Sequence, residues 1–257
     1  MKMVKTIYPM LLLVATMALS SCLKEHDPLP PTYLDIVTVK SITGKTWFEN
    51  DDDKIYYNSN NGVADLTGVK RAIIMFSPIN PDDWKNDISP MNIDLYVATK
   101  IDEASLYTSR GSIADSLQLK EYDPIIGFDK MNKEGDTIQF KKGFITAKIN
   151  YYFNKQIHGF KLYRYSDDAL KPSVENADTV DLYFGHNAKN DDQSYEMAQY
   201  AVNYPNLYYK SFDTSTLIPE LSSYNKDKLV VRINYRKYVK GGGTVDAVQL
   251  INYSTKQ

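Results

Sequence analysis

The sequence lacks cysteine almost entirely, since Cys22 is the only one among 257 residues. An intramolecular disulfide is excluded, and a single cysteine in an exported chain needs its own explanation. An excess of one charge is also lacking, because 30 Lys and Arg residues face 32 Asp and Glu residues. A net charge of −2 provides no strongly basic surface of the kind that binds nucleic acids, so no nucleic-acid partner is predicted.

Long hydrophobic runs are scarce as well. The segment from Tyr8 to Leu19 follows Lys2 and Lys5 and is almost wholly apolar. Its length is about half of the roughly 20 residues that a membrane-spanning helix needs. A charged start, a short apolar run and small residues at the end are typical of a secretory signal. Residues 1–21 are therefore predicted to be a signal peptide.

The signal ends at Leu19-Ser20-Ser21-Cys22, which resembles the lipobox of bacterial lipoproteins. The resemblance implies that Cys22 becomes the lipidated N-terminus and attaches the protein to a membrane. Lipidation would also account for the lone thiol, and several acyl chains on one residue make the attachment effectively permanent. An ordinary cleaved signal that ends at a cysteine is the alternative.

Residues 22–32 combine alternating charges with Pro28, Pro30 and Pro31, which favours an extended tether. A charged stretch directly after the lipidated cysteine resembles the signals that bring some Bacteroidetes lipoproteins to the outer face of the outer membrane. The predicted location is the cell envelope, as an outer-membrane lipoprotein. Whether the protein faces the periplasm or the cell surface stays open.

The rest of the chain, which includes most of its 21 tyrosines, is rich in residues that favour β-strands. Alternation with period two is clearest from Leu229 to Tyr235, where the apolar residues share one face. A glycine triplet at 241–243 and a second strand-like segment from Val245 to Tyr253 predict a C-terminal hairpin. Only Ser194 to Ala201 suggests a short helix.

Short strands separated by turn-rich segments predict an all-β fold. Residues 33–113 contain enough strands for a small barrel domain. Residues 114–257 carry six or more strands, which suits an antiparallel β-sandwich domain. No internal repeat of the kind found in solenoids or propellers is present.

The order of several landmarks resembles that of the NigD-like lipoproteins. The landmarks are the lipobox, Tyr33 to Val39, Trp47 with Asp51 to Asp53, Ile149 to His158, Asp181 to Ala188, and Phe212-Asp213. The resemblance covers essentially the whole mature chain and implies an OB-like N-terminal barrel followed by a C-terminal β-sandwich. It implies no catalytic residues and no cofactor. Because the family is named from a bacteriocin gene cluster, it also implies a bacteriocin-related role.

Two histidines are candidates for chemistry. His186 ends an alternating strand and precedes a polar loop that contains Asp191 and Asp192, so a His-Asp site is conceivable there. No metalloprotease, paired-histidine or serine-hydrolase pattern accompanies His186 or His158. The sequence therefore favours strand-end histidines bonded to a loop backbone, and no enzyme is predicted.

Several clusters of acidic residues could be interpreted as calcium sites. The densest cluster is Asp51 to Asp53. None of the clusters has the glycine and glutamate positions of an EF-hand loop. A turn between Phe48 and Ile55 favours residues that bond their own backbone, so a solvated hairpin tip is predicted and no metal site. An irregular surface calcium site is the alternative.

Trp84, together with Asp82 and Asp83, is the strongest candidate for a site that binds a ligand or a partner. It lies in a long polar loop, where a large ring is costly to expose unless it packs or binds something. One interpretation is a platform on which a sugar or a protein partner stacks. The other, which the sequence favours, is a ring that folds back over an open barrel end.

Two functions from different classes remain. The first is a non-enzymatic, lipid-anchored interaction module that contacts an unknown envelope protein, with a bacteriocin-related role implied by the resemblance. The second is a surface lipoprotein that binds glycans through loop aromatics. In addition, three triplets resemble the Asp-Ser/Thr-apolar acceptors for O-glycosylation in Bacteroidetes, with ordinary strand-edge sequence as the alternative: residues 115–117, 136–138 and 178–180.

Overall fold

The computed structural model describes nine segments of the chain, which together contain every strand discussed below. They are residues 31–42, 45–59, 66–109, 122–131, 135–165, 171–172, 178–191, 194–215 and 229–252. The predicted signal peptide and Cys22 lie outside these residues.

Seventeen strands and three short helical segments are described. The strands are β1 (Tyr33–Ile42), β2 (Lys45–Asn50), β3 (Ile55–Asn58), β4 (Arg71–Pro78), β5 (Met91–Lys100), β6 (Asp102–Ser109), β7 (Gly127–Asp129), β8 (Ile138–Lys141), β9 (Phe144–Asn150), β10 (Tyr152–Phe153), β11 (Gly159–Tyr165), β12 (Lys171–Pro172), β13 (Asp178–Asn187), β14 (Tyr195–Glu196), β15 (Tyr209–Asp213), β16 (Val230–Tyr238) and β17 (Thr244–Asn252). The helices are α1 (Pro81–Lys85), a 3₁₀ turn (Met197–Tyr200) and α2 (Pro205–Tyr208).

The first five strands form a small closed barrel in the order β1-β2-β3-β5-β4. Its pairs are antiparallel except for β3 with β5. Alternate residues point inward, and burying each large apolar side chain stabilises the fold by about 1.5–3 kcal/mol. The buried core residues are Val37, Val39, Phe48, Tyr56, Ala72, Ile74, Phe76, Met91, Ile93 and Leu95.

The following strands form one ten-stranded sheet in the order β17-β16-β13-β11-β6-β15-β9-β7, with β12 on β13 and β8 on β9. The strands on either side of β6 share a single core. The Phe184 ring of β13 lies 6.1 Å from the Phe212 ring of β15, and the Phe128 ring of β7 lies 4.9 Å from the Tyr235 ring of β16. The sheet therefore folds over its own core, and the predicted barrel followed by a sandwich is confirmed.

Strand pairing in this sandwich is mixed, whereas the sequence predicted an antiparallel one. β6 runs parallel to both β11 and β15, and β13 runs parallel to β16. The reason is topological, because β6 leaves the barrel and enters the middle of the sheet between strands that follow much later in the chain.

The change from barrel to sandwich falls at Ile101, between β5 and β6. Contacts join residues Tyr33–Gln257 into one compact unit. The division into domains at 33–113 and 114–257 stays a prediction. If the two sheets are separate domains, strand pairing places the boundary about a dozen residues earlier than the sequence pattern did.

The predicted C-terminal hairpin is confirmed as β16 and β17. Val231 and Ile233 are buried in the core, whereas Arg232 between them is exposed. Gly241 to Gly243 all have positive φ, which only glycine adopts readily, and they reverse the chain. The short helix predicted over Ser194 to Ala201 is instead β14 followed by a 3₁₀ turn. No helix of the described segments has the length and apolar character to cross a bilayer.

Candidate functional site

A buried arginine joins the barrel to the sandwich. Arg71 of β4 is fully buried, and its Nη1 and Nη2 donate to the two carboxylate oxygens of Asp51 at 2.7 and 2.9 Å. Nη1 also donates to Thr38, and the guanidinium lies 5.5 Å from the Phe144 ring of β9. Because a guanidinium group stays protonated in a protein, burying it requires a carboxylate partner.

The acidic turn after β2 is the predicted solvated tip at Asp52 and Asp53, whose side chains are 72% and 58% exposed, but not at Asp51. Asp51 is almost enclosed, with 12% of its side chain exposed. Asp52 accepts from Lys141 Nζ at 2.7 Å, and Asp53 pairs with Lys142. The turn forms as predicted, but the sandwich docks against it and supplies cations from the β8–β9 turn.

A cleft of about 630 Å³ opens beside this junction. The barrel contributes Leu34, Ile36 and Ile73 of β1 and β4, and the sandwich contributes Gln139 of β8 and Tyr209 of β15. The cleft thus exists only because the two sheets lie side by side. Charged side chains also line the cleft, which therefore combines apolar and charged surface: Asp35, Asp51, Asp52, Asp136, Lys141 and Lys148.

Several charged groups in the cleft are already bonded within the protein. Asp51 binds Arg71, Asp52 binds Lys141, and Lys148 Nζ donates to the Lys130 carbonyl at 2.8 Å. Leu34 is different, because 71% of it is exposed. Leu34 therefore offers a partner an exposed apolar contact among the polar groups of the cleft.

Asp35 lies in the wall of the cleft next to Leu34. Burial raises the pKa of its carboxyl, although the carboxylate accepts hydrogen bonds from Asn50 Nδ2 at 2.9 Å and from the Tyr56 hydroxyl at 2.7 Å. Burial and the neighbouring Asp35 also raise the pKa of Tyr56. The hydrogen bonds among these three side chains therefore hold the start of β1 to β2 and β3 of the barrel.

Trp84 lies at one end of the barrel. Its ring stacks on Tyr33 with centroids 4.0 Å apart and meets the edge of Phe76 at 5.8 Å. Lys54 Nζ lies 5.1 Å from the ring centroid. Trp84 is partly buried and packs against the barrel core.

Asp82 and Asp83 support the short helix α1 that carries Trp84. Asn80 caps the helix, since its side chain accepts from the Asp82 backbone N–H and donates to the Asp83 carboxylate at 2.8 Å. Asp82 also pairs with Lys85. None of these residues lines the large cleft, and a binding role for them stays a prediction.

The two histidines lie together at one end of the sandwich core. His186 contacts the Pro124 carbonyl through Nδ1 at 3.1 Å, and its Nε2 lies 2.8 Å from His158 Nδ1. His158 Nε2 lies 3.3 Å from Asp191. The sequence anticipated the contact of His186 with a loop backbone. Asp191 contacts His158 and not His186, and the pairing of the two histidines, which are 28 residues apart, was not anticipated. Asp192 lies outside the described residues.

A second buried cation was missed by the sequence analysis. Lys210 of β15 is 5% exposed and donates to Asp102 at 2.7 Å and to the Asn206 carbonyl at 3.0 Å. Burial lowers its pKa. Lys210 shares the inward phase of Phe212, which is the signal that would have placed it inside.

Lys210, Asp102 and His158 line a cavity of about 340 Å³. No group of three or more His, Cys, Asp or Glu side chains in the described segments is placed to hold a metal ion. Among the glycosylation-like triplets, the Thr137 hydroxyl oxygen is buried and therefore inaccessible in the folded protein. Residues 115–117 lie outside the described segments.

A small closed barrel joined to a folded ten-stranded sheet thus defines the structural class of this chain. Neither a family model nor a curated protein matches its sequence. Solved structures do match. A candidate lipoprotein of Bacteroides fragilis aligns with a TM-score of 0.65 and 14% identity over 88% of this chain and 100% of its own.

Two further solved structures share the fold. A NigD-like immunity protein of Bacteroides caccae aligns with a TM-score of 0.54 and 17% identity over 86% of this chain and 93% of its own. A candidate toxin-related protein of Parabacteroides distasonis aligns with a TM-score of 0.52 and 15% identity over 87% and 95%. The resemblance to NigD-like proteins seen in the sequence is therefore confirmed at the level of fold.

Proposed function

We propose that this chain is a non-enzymatic, lipid-anchored protein of the cell envelope that binds another protein in the cleft between its two sheets. The observation that carries the proposal is Leu34, which is 71% exposed in the cleft, where the neighbouring Asp51 and Asp52 are paired with Arg71 and Lys141. Exposed apolar side chains in a concave surface are the usual anchors of protein partners.

The membrane anchor is Cys22 at the end of the lipobox, followed by the tether over residues 22–32. The shared fold with a candidate Bacteroides lipoprotein supports this part of the proposal. We place the protein in the outer membrane and leave open which face of the membrane it occupies.

The partner that we propose is bacteriocin-related. Its support is the fold shared with a NigD-like immunity protein and with a candidate toxin-related protein. Glycan binding at Trp84 has weaker support, because Tyr33 already covers one face of the indole on which a sugar would stack.

The experiment uses photocrosslinking in the native host. A photoreactive residue replaces Gln139, which lines the sandwich side of the cleft. We expect a protein adduct that Leu34→Asp abolishes and that Leu250→Asp preserves, since Leu250 is 59% exposed on β17 and does not line the cleft. An adduct that survives Leu34→Asp, an adduct with glycan alone, or no adduct would contradict the proposal.

A further inference from the structure

The histidine pair forms a chain of three polar contacts with an acceptor at each end. The chain runs from the Asp191 carboxylate to His158, from His158 to His186, and from His186 to the Pro124 carbonyl, over distances of 3.3, 2.8 and 3.1 Å. Both histidines are buried, with 5% and 1% of each residue exposed.

The number of protons decides how many of these contacts are hydrogen bonds. A carboxylate and a backbone carbonyl only accept, so His158 Nε2 and His186 Nδ1 must both carry protons to satisfy the two ends. Two neutral rings hold two protons in total, which would leave two lone pairs facing each other across 2.8 Å. All three contacts become hydrogen bonds only when a third proton lies between the rings.

Asp191 is suited to balance the added charge. Although burial opposes it, backbone N–H donors of Asn154 and Lys155, at 2.6 and 3.0 Å, lower the pKa of Asp191 to about 2. The carboxylate is therefore charged throughout the range in which histidines titrate.

Other charged and aromatic groups surround the pair. Asp123 accepts from the Ala188 N–H beside His186, and Lys189 follows in the same loop. Lys210 and Asp102 line the cavity that His158 borders. The Tyr151 and Phe160 rings, whose centroids lie 4.9 Å from those of His158 and His186 respectively, exclude water from the rings.

We propose that His158 and His186 form one proton-binding site, which takes up a single proton shared by both rings and neutralised by Asp191. Uptake of a second proton is disfavoured, because burial and the charge of His158 lower the pKa of His186 to about 4. Burial lowers the pKa of His158 as well, while Asp191 opposes this.

Sharing of one proton by the two rings determines how many protons the chain releases when it folds. At pH values below both the ordinary histidine pKa of about 6.5 and the shared midpoint, and above about 4, the unfolded chain binds two protons at these residues and the folded chain binds one. The unfolded state is therefore stabilised relative to the folded state as pH falls. The contribution of the pair to the equilibrium constant for unfolding should rise about tenfold for each unit that pH falls. It would rise about a hundredfold per unit if both rings stayed neutral in the folded protein.

The site also connects three parts of the chain. Asp191 binds the backbone of residues 154 and 155, and His186 binds Pro124. Proton uptake completes the contact between His158 and His186 and gives His158 a positive charge that strengthens its bond to Asp191, which tightens the loop after β13 against the β10–β11 connection.

The experiment is a nitrogen NMR titration of the mature protein, labelled at histidine and carrying His26→Gln so that only the two buried rings report. We expect both rings to respond at one common midpoint above pH 4, with one proton gained in total. Two separate midpoints with two protons gained, or no response above pH 4, would overturn the proposal.

A pair of variants tests the counter-charge. Asp191→Asn should lower the common midpoint by at least one pH unit, because the shared charge loses its neutralising carboxylate. Asp246→Asn, at an exposed position on β17, should leave the midpoint unchanged. Equal midpoints in wild type and Asp191→Asn, with circular dichroism showing both folded, would contradict the role of Asp191.

Discussion

Arg71 and Asp51 form a two-point ion pair at the junction of barrel and sandwich, with both guanidinium Nη atoms bound to the carboxylate. Arg71 lies on the outer face of the barrel wall, opposite the inward Ala72 and Ile74, and becomes buried because the sandwich covers it. The pair therefore belongs to the contact between the two sheets.

Removing the carboxylate of this pair should be costly. We expect Asp51→Ala to lower the free energy of unfolding by about 3–5 kcal/mol, because it leaves an uncompensated buried charge. Asp52→Ala should change it by about 0–1 kcal/mol, since 72% of the Asp52 side chain is exposed. Urea denaturation measures both, and similar losses for the two variants would argue against a buried ion pair.

The faces of β16 provide a second prediction. Ile233→Asp should lower the free energy of unfolding by more than about 3 kcal/mol, because a charge enters the core without a partner. Arg232→Gln on the exposed face is the control and should cost less than about 1 kcal/mol. Gln suits this position better than Asp, since Asp181 pairs with Arg232. Equal midpoints of thermal unfolding would show that the faces are misassigned.

Trp84 provides a third prediction. Trp84→Ala should cost about 3 kcal/mol of stability, at the lower end of the range for buried aromatic residues because the ring is only partly buried. In a Trp47→Phe background, Trp84 is the only indole, so its fluorescence should resist an aqueous quencher. A freely quenched indole with unchanged stability would instead move glycan or protein recognition to this loop.

The lipid anchor is tested by fractionation. Cys22→Ser should leave an unprocessed precursor and move the protein out of the membrane fraction, because serine cannot form the thioether to the lipid. Leu19→Asp should act similarly because it interrupts the apolar approach to the processing site. Normal processing and unchanged membrane retention of Cys22→Ser would refute the lipoprotein assignment.

Local patterns carried the predictions that the structure confirmed. Alternation along Leu229 to Tyr235 identified the buried face of β16, because side chains of a strand point alternately to its two faces. The glycines at 241–243 identified the reversal, because their conformation requires no distant partner. Both signals lie within a few residues of the structure that they predict.

Distant partners account for what the sequence analysis missed. Lys210 binds Asp102 across 108 residues, and Lys142 of the sandwich binds Glu49 of the barrel across 93. In the sequence, Asp102, Lys142 and Glu49 look like ordinary solvated residues, and Lys210 differs from them only in sharing the inward phase of Phe212. The pairing of β15 with β6 brings Lys210 to Asp102, and the docking of the two sheets brings Lys142 to Glu49.

The sequence by itself determined the strand content, the inward face of each clear strand and the order of barrel and sandwich, since these depend on neighbouring residues, and the export signal stays a prediction. Tertiary structure alone decided the parallel pairing of β6, the burial of Arg71 and Lys210, the cleft beside Leu34 and the contact between His158 and His186. Their common physical reason is that each depends on which distant segments exclude water from the same space.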